Sequence, residues 1–149
     1  MVNEQVRETV AIETAAGTRE VNSDEIIYFP DGLPGFEEFR EFAVFDIEVC
    51  EPFKSMLSID PGGPDFIVVE PMTIFEDYNP LDSICLSDNV KLGTPLDIAV
   101  IAIVTVAEDF KNSTVNLRGP ILLNLATSRA RQVILTDDRY NTRTPLIVE

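Results

Sequence analysis

The chain has 149 residues, of which 45% are apolar, and it carries 26 acidic against 11 basic side chains, a formal net charge of −15. This length suits one domain spanning residues 1–149 with a substantial core, and the apolar fraction is too high for a disordered acidic tail. The scarcity of Lys and Arg disfavours direct binding of nucleic acid, which needs basic side chains on one face.

Ten prolines and seven glycines punctuate the chain at short intervals, a pattern that is typical of an all-β domain. Alternating residues at 6–12, followed by turn residues at 15–18, predict an N-terminal β-hairpin. Further strands are predicted at residues 25–29, 40–47, 53–59 and 66–70, with a hairpin connector at 60–65.

The strongest strand prediction covers residues 97–106, which are rich in β-branched side chains and apolar on both faces, so this strand should lie centrally. Strands at 121–125 and 132–136 follow, and short helices are predicted at 87–91 or 126–131. We therefore expect a mainly antiparallel all-β domain. It should form a closed or partly closed barrel, or a sandwich, with at most one or two short helices.

Residues 29–37 read Phe-Pro-Asp-Gly-Leu-Pro-Gly-Phe-Glu and contain two turn signals with an aromatic residue at each end. Pro30 fixes its own φ near the value that a turn needs, and Gly32 can adopt a positive φ. A second Pro-Gly pair repeats the device. The segment predicts a rigid loop that holds Phe29 and Phe36 against apolar neighbours.

The chain contains no histidine, which removes the usual general base, the usual activator of a nucleophile and the commonest metal ligand. Carboxylate pairs such as Asp137-Asp138 and Glu76-Asp77 remain, but two carboxylates acting on a sugar also need an aromatic cleft, and tryptophan is absent. Residues 60–65 lack the ligand alternation of a calcium loop, and no glycine-rich phosphate-binding motif is present. We predict no catalytic residue, no metal site and no cofactor.

Cys50 and Cys85 are the two cysteines, and neither belongs to a close-spaced ligand pair. Free thiols are expected, with one disulfide as the alternative. Residues 1–7 do not resemble the start of a signal peptide, and the longest apolar run, at 98–106, is about half of a membrane helix. We expect a cytoplasmic protein that does not engage a membrane.

The acidic side chains are concentrated in residues 1–97, which carry 21 acidic and 5 basic residues. They form either a solvated face or a docking surface for a basic protein. Asn116, before a Gly-Pro break, either ties off a local turn or contacts the main chain of a partner. For four arginines the alternatives are salt bridges to the acidic first part of the chain and recognition of an acidic patch or terminal carboxylate on a partner. These are Arg129, Arg131, Arg139 and Arg143.

Five segments, taken in order from about residue 26 to residue 146, resemble the flagellar assembly factor family FliW. Residues 29–36 are similar to the family's Phe-Pro-x-Gly-Leu/Ile-Pro-Gly-Phe, and residues 129–135 follow its basic-x-Gly-basic-Gln-Val-Val-Leu with Ala130 in place of glycine. The other similar segments are Pro52-Phe53 with Ser58, the spaced Phe66, Pro71 and Tyr78, and residues 114–121, with Met56, Leu57 and Gly119 departing from the family pattern.

The resemblance implies a non-enzymatic chaperone and translational regulator. Members of that family bind newly made flagellin in the cytoplasm, and they also bind and antagonise the carbon storage regulator, a small RNA-binding dimer that blocks translation of flagellin message. Accumulating flagellin would then free the regulator and stop its own synthesis. Such a switch requires the two partners to compete, directly or through coupled sites.

Two candidate binding sets follow from this resemblance. For flagellin, we expect an apolar groove that accepts an amphipathic helix, formed by Leu33, Phe36 and Phe39 and joined by Asn116, although Phe36 is alternatively a core residue. For the basic regulator, we expect contacts from Glu70, Glu76, Asp77 and Tyr78. The alternative function is an acidic adaptor or mimic that sequesters another basic nucleic-acid-binding protein.

Overall fold

The computed structural model describes residues 9–14, 17–22, 25–47, 52–60, 62–80 and 98–146, which form eleven strands and short 3-10 turns. The strands are β1 Thr9–Thr14, β2 Gly17–Asn22, β3 Ile27–Tyr28, β4 Glu41–Asp46, β5 Lys54–Ser58, β6 Asp65–Val69, β7 Ile98–Thr105, β8 Thr114–Val115, β9 Ile121–Asn124, β10 Arg129–Gln132 and β11 Thr144–Pro145. The predicted helix at 87–91 and both cysteines lie outside the described residues. No helix in the described ranges is long and apolar enough to cross a membrane.

Seven strands close into a mixed barrel in the order β3-β4-β5-β6-β7-β9-β10. All of its neighbouring strands are antiparallel except β10 and β3, which pair in parallel through Arg129 and Tyr28. The barrel closes because β7 pairs with β6 along one edge and with β9 along the other. β8 and β11 extend the sheet beside the second half of β7. The predicted all-β barrel is confirmed.

Alternation along the strands divides the core into an inner and an outer cluster. In β4, Phe42 and Val44 belong to the cluster that fills the barrel, whereas Ala43 and Phe45 belong to a cluster on its outside. In β7 the division is similar, and apolar residues occupy both clusters along its length. The prediction that this strand lies centrally is confirmed. Each fully buried aliphatic or aromatic side chain contributes about 1.5–3 kcal/mol.

The N-terminal hairpin is confirmed, with β1 and β2 paired in antiparallel register from Thr9–Asn22 to Thr14–Gly17. A two-stranded hairpin is marginally stable by itself in water. Here Ile12 and Val21 are buried together with Ala43 on the outer face of β4. The hairpin therefore depends on the barrel for its stability.

The predicted helix at 126–131 and strand at 132–136 are wrong, because β9 turns at 125–128 directly into β10. The cause is local: the buried Asn124 side chain accepts hydrogen bonds through Oδ1 from Ala126 N at 2.8 Å and Thr127 N at 3.1 Å. Ser128 then adopts a φ of 60°. These contacts complete a tight turn where the sequence suggested a helix.

The apolar run at 133–135 continues β10 irregularly rather than as a regular ladder. Val133 N donates to Pro120 O at 2.9 Å, and Leu135 N donates to Arg118 O at 2.8 Å. β8 and β11 had not been predicted, since strands of two residues carry no detectable period.

Candidate functional site at the two ends of the barrel

A groove of about 480 Å³ opens at the end of the barrel where β3, β5, β7 and β10 begin and β4, β6 and β9 end. We call this end the mouth. Its apolar lining consists of Ile27, Val44, Ala99, Ile101, Leu123 and Leu125. Its polar lining consists of Glu25, Asp46, Lys54, Glu70 and Ser128. The mouth thus combines an apolar floor with a rim of three carboxylates and one ammonium group.

The charges at the mouth do not cancel. Lys54 Nζ lies 2.6 Å from Asp46 Oδ1, and these residues are register partners across β5 and β4. Glu25 accepts a hydrogen bond from Asn22 N at 3.3 Å, which leaves its charge in place. The exposed Glu70 carboxylate has no hydrogen bond or ion pair to any residue that the structure describes. Two negative charges therefore remain after Lys54 has paired.

A built turn places Leu125 at the rim of the mouth. The Asn124 side chain fixes this turn, and Tyr28 N donates to Ser128 O at 2.8 Å, which ties the turn to β3. Leu125 is 64% exposed. A non-glycine residue with a φ of 60°, such as Ser128, carries a backbone strain that the surrounding contacts must overcome. The strained turn holds an apolar side chain in solvent next to the groove.

The opposite end of the barrel is filled by residues 29–40, and we call it the closed end. The loop returns on itself through Phe29 N to Arg40 O at 2.7 Å and Phe36 N to Leu33 O at 2.8 Å. Gly32 has a φ of 68°, as the turn chemistry requires. Phe29 is fully buried, with its ring edge-on to Phe42 at 5.4 Å between centroids. The predicted rigid loop is confirmed.

The residues predicted for flagellin differ in how accessible they are. Leu33 is buried in the inner cluster and Phe39 packs against it, so both support the loop from beneath. Phe36 is 39% exposed, with its ring edge-on to Phe66 at 5.7 Å. Of these three side chains, Phe36 provides the accessible apolar surface. A binding role for any of them stays a prediction.

Asn116 acts as a local turn residue. Its Oδ1 accepts hydrogen bonds from Arg118 N at 3.1 Å and from Gly119 N at 2.8 Å. This is the structural role that the sequence offered as one of two interpretations. The contact with a partner's main chain stays a prediction.

The residues predicted for the regulator are contiguous and divide into an exposed and a buried part. Glu70, Glu76 and Asp77 are exposed around a 3-10 turn at Pro71–Thr73. Tyr78 is buried, and its hydroxyl donates to Leu117 O at 2.6 Å. We call residues 70–77 the acidic segment; Tyr78 anchors its C-terminal end to the barrel.

The environment of Tyr78 keeps its hydroxyl protonated. Burial raises the pKa of Tyr78 above its ordinary value of 10.0, and the neighbouring Tyr140 raises it further. The two rings meet edge-on at 4.8 Å between centroids. The neutral hydroxyl is the form that donates to Leu117 O, next to Asn116 in the chain. One hydrogen bond thus connects the two predicted sets.

The arginines follow both of the predicted alternatives only in part. Arg131 Nε lies 3.7 Å from Asp31 Oδ2, which is a contact with the acidic first part of the chain. Arg139 pairs instead with Asp137, two residues away, at 2.6 Å. The guanidinium of Arg129 lies 5.8 Å from the ring centre of Tyr28. These contacts describe local pairing, and recognition of a partner's carboxylate stays a prediction.

Sequence reasoning missed the mouth, although the strands carry a signal for it. The inward positions of β4 are Phe42 and Val44, and the next position in the same alternation is Asp46. In β6 the alternation likewise runs from Phe66 and Val68 to Glu70. An inward stripe that ends in a charge marks the point where the barrel interior meets solvent.

The fold and these surfaces define a small, closed, mixed β-barrel protein with an exposed acidic segment and an apolar groove. A family model described as FliW protein matches residues 10–146. The chain is 37% identical over 132 residues to the flagellar assembly factor FliW of Clostridium beijerinckii, which covers 87% of this chain and 94% of that protein. It is 34% identical over 131 residues to the flagellar assembly factor FliW of Bacillus subtilis strain 168, covering 87% and 91%.

A solved structure agrees with these relatives. The crystal structure of the flagellar assembly factor FliW matches with a TM-score of 0.80 and 32% identity over 95% of this chain and 99% of that one. The chain belongs to the FliW family. The resemblance stated from its motifs is confirmed.

Proposed function

We propose that this protein is a cytoplasmic, non-enzymatic flagellar assembly factor that binds flagellin and the carbon storage regulator in competition. The observation that carries the proposal is membership of the FliW family over residues 10–146, with relatives named flagellar assembly factors matched over nearly their whole length. By holding the regulator, the protein relieves the block on flagellin translation. Accumulating flagellin displaces the regulator, so that translation follows assembly.

The acidic segment supports the regulator half of the proposal. An RNA-binding dimer must present basic surface to phosphates, and this segment presents Glu70, Glu76 and Asp77 to solvent with no basic residue between them. Complementary charge accelerates encounter and favours the correct partner. Tyr78 supports this role by position, since its buried hydroxyl holds the segment against Leu117.

The closed end supports the flagellin half. Phe36 is exposed on a loop whose backbone is fixed by its own hydrogen bonds, with Leu33 and Phe39 packed beneath it. A preorganised apolar surface of this kind suits the apolar face of an amphipathic helix, because little entropy is lost when it binds. We assign Phe36 to direct contact and the other two side chains to its support.

The two proposed surfaces lie at separate places on the barrel, so competition between the partners operates through coupling as well as through any overlap. Glu70 lies at the mouth, whereas Phe36 lies at the closed end. The hydrogen bond from Tyr78 to Leu117 connects the acidic segment to the turn that Asn116 caps. A bond that both surfaces share is the kind of contact through which two binding equilibria become linked.

Matched variants test the two halves separately. Phe36→Ala should weaken flagellin binding about tenfold while far-UV circular dichroism stays unchanged. The control is Phe110→Ala: Phe110 is 44% exposed and packs edge-on against Phe53 at 5.6 Å, much as Phe36 packs against Phe66. Equal losses of flagellin binding in both variants would contradict the assignment of Phe36.

For the regulator, the variant Glu76→Gln/Asp77→Asn should weaken binding about tenfold at low salt and much less at high salt. Glu38→Gln/Glu41→Gln removes the same number of exposed charges at the closed end and should leave regulator binding nearly unchanged. Regulator affinity that does not vary with salt would contradict the electrostatic part of the proposal.

The net charge of −15 also favours the second candidate, an acidic adaptor for another basic nucleic-acid-binding protein. Pull-down from a lysate of flagellated bacteria separates the two. The proposed function predicts flagellin as the dominant partner, and the adaptor function predicts a basic protein without flagellin.

A further inference from the structure

We propose that the mouth is a docking pocket for a segment of a basic partner in which one apolar side chain is flanked by Lys or Arg. The inference adds a site to the proposed function without depending on it, since the mouth is tested below with a synthetic peptide. Its volume of about 480 Å³ falls in the range of ~300–1,000 Å³ that is usual for ligand pockets.

The floor of the mouth provides the apolar half of this recognition. Val44, Ile101 and Leu123 come from three different strands and line the groove from the barrel interior. Leu125, held in solvent by the turn that Asn124 caps, extends the apolar surface to the rim. A large aliphatic side chain entering the groove is thereby removed from water on several sides.

The position of the carboxylates provides the charged half. Glu25 precedes β3 and Glu70 follows β6, and these strands are three steps apart around one side of the seven-stranded barrel and four around the other. The two carboxylates therefore face each other across the apolar floor. A peptide that crosses the mouth can place a basic side chain on each carboxylate while an apolar side chain enters between them.

Charge also selects among occupants. Lys54 is already paired with Asp46, so the two remaining carboxylates determine the sign of the rim. A second copy of this chain has a net charge of −15 and is repelled from an acidic rim, and an anionic ligand is disfavoured for the same reason. The rim is complementary to a basic segment.

The test is an NMR titration of the full chain with the peptide Gly-Lys-Lys-Leu-Lys-Lys-Gly. We expect saturable shifts of the methyl groups of Val44, Ala99, Ile101 and Leu123. Replacing the peptide's leucine by alanine should weaken binding about tenfold, since the apolar contact is lost. Replacing its lysines by glutamate should abolish binding. Shifts spread over the acidic surface, or equal affinity for the glutamate peptide, would overturn the proposal.

Variants of the protein locate the site. Glu70→Gln should weaken binding of the lysine peptide about threefold at low salt, whereas Glu108→Gln, an equal change of charge beyond the opposite end of β7, should not. Leu125→Ser should weaken binding more than Ile134→Ser, although the two side chains are 64% and 63% exposed. Equal effects within either pair, or methyl shifts at the mouth on diluting the protein without peptide, which would indicate a second copy, overturn the assignment.

Discussion

The mouth and the closed end are made by the same seven strands, yet one is open and the other is filled. At the closed end, the loop 29–40 folds inward and places Phe29 and Leu33 in the inner cluster. At the mouth, the inward stripes of β4 and β6 end in Asp46 and Glu70 instead. The difference lies in a few side chains at strand ends, not in the path of the sheet.

This contrast shows how a small barrel can be rigid and still offer a binding surface. Burying an unpaired charge costs several kcal/mol, so an end rimmed by carboxylates stays hydrated. An end closed by aromatic residues fixes its loop and can present one exposed ring, Phe36, without rearranging. We infer that the closed end supplies a preformed apolar contact and that the mouth supplies a charged pocket.

The largest expected effect tests whether the closed end is part of the core. Phe29→Ala should lower the free energy of unfolding by about 3–5 kcal/mol, because a fully buried ring packed against Phe42 is removed. Leu125→Ala, at the exposed rim of the mouth, should change it by less than about 0.5 kcal/mol. Guanidinium unfolding measures both values, and comparable losses would contradict the contrast between the two ends.

A pair of glycines sharpens the description of the closed-end loop. Both have positive φ values, 68° for Gly32 and 87° for Gly35, but a Cβ at Gly32 would lie 2.6 Å from Glu37 Cα, while nothing lies within 4 Å of one at Gly35. Gly32→Ala should therefore destabilise the protein by about 3 kcal/mol and Gly35→Ala by about 1 kcal/mol. Thermal unfolding of the two variants tests this order, and the reverse order would refute the packing described for the loop.

Tyr78→Phe tests the anchor of the acidic segment. Loss of the hydrogen bond to Leu117 O should lower the free energy of unfolding by about 1–2 kcal/mol at neutral pH, since a buried carbonyl loses its partner. The measurement is urea unfolding at fixed pH. An unchanged stability would mean that this bond does not hold the segment to the barrel.

The same variant has a pH signature. Because burial raises the pKa of Tyr78 in the folded state, the unfolded chain releases this proton first, and stability falls as pH rises above the ordinary value of 10.0. Tyr78→Phe should remove this part of the alkaline loss. Parallel stability curves for the two proteins between about pH 8 and about pH 11 would contradict the assignment.

The smallest expected effect concerns the turn beside the mouth. Ser128 has a φ of 60°, which costs an ordinary residue about 1–2 kcal/mol, and glycine relieves that strain while losing about 0.5–1 kcal/mol through the freedom of the unfolded chain. Ser128→Gly should therefore stabilise the protein by about 0.5 kcal/mol. Differential scanning calorimetry tests the sign, and a destabilised variant would show that the turn is not strained.

The sequence predicted the features whose causes are local. The N-terminal hairpin and the loop at 29–37 depend on turn residues that are neighbours in the chain, and both were found. The central position of β7 followed from apolar residues on both of its faces. The helix expected at 126–131 failed because one side chain, Asn124, stabilises a turn more strongly than the weak helical pattern suggested.

The features that could not be predicted depend on closure of the barrel. Glu25, Asp46 and Glu70 come from separate strands and meet at the mouth only because β7 pairs with both β6 and β9. Burial of Tyr78 and Leu33 likewise depends on elements distant in the chain. Exposure divides the predicted binding sets into contact and support residues, and composition alone does not report exposure.

The central claim is that two protein partners compete for this barrel. Its most direct test is to add flagellin to a mixture of this protein, the carbon storage regulator and a labelled RNA that the regulator binds. The account predicts that RNA binding by the regulator is low at first and returns in proportion to added flagellin. RNA binding that is insensitive to this protein, or that flagellin does not restore at micromolar excess, would contradict it.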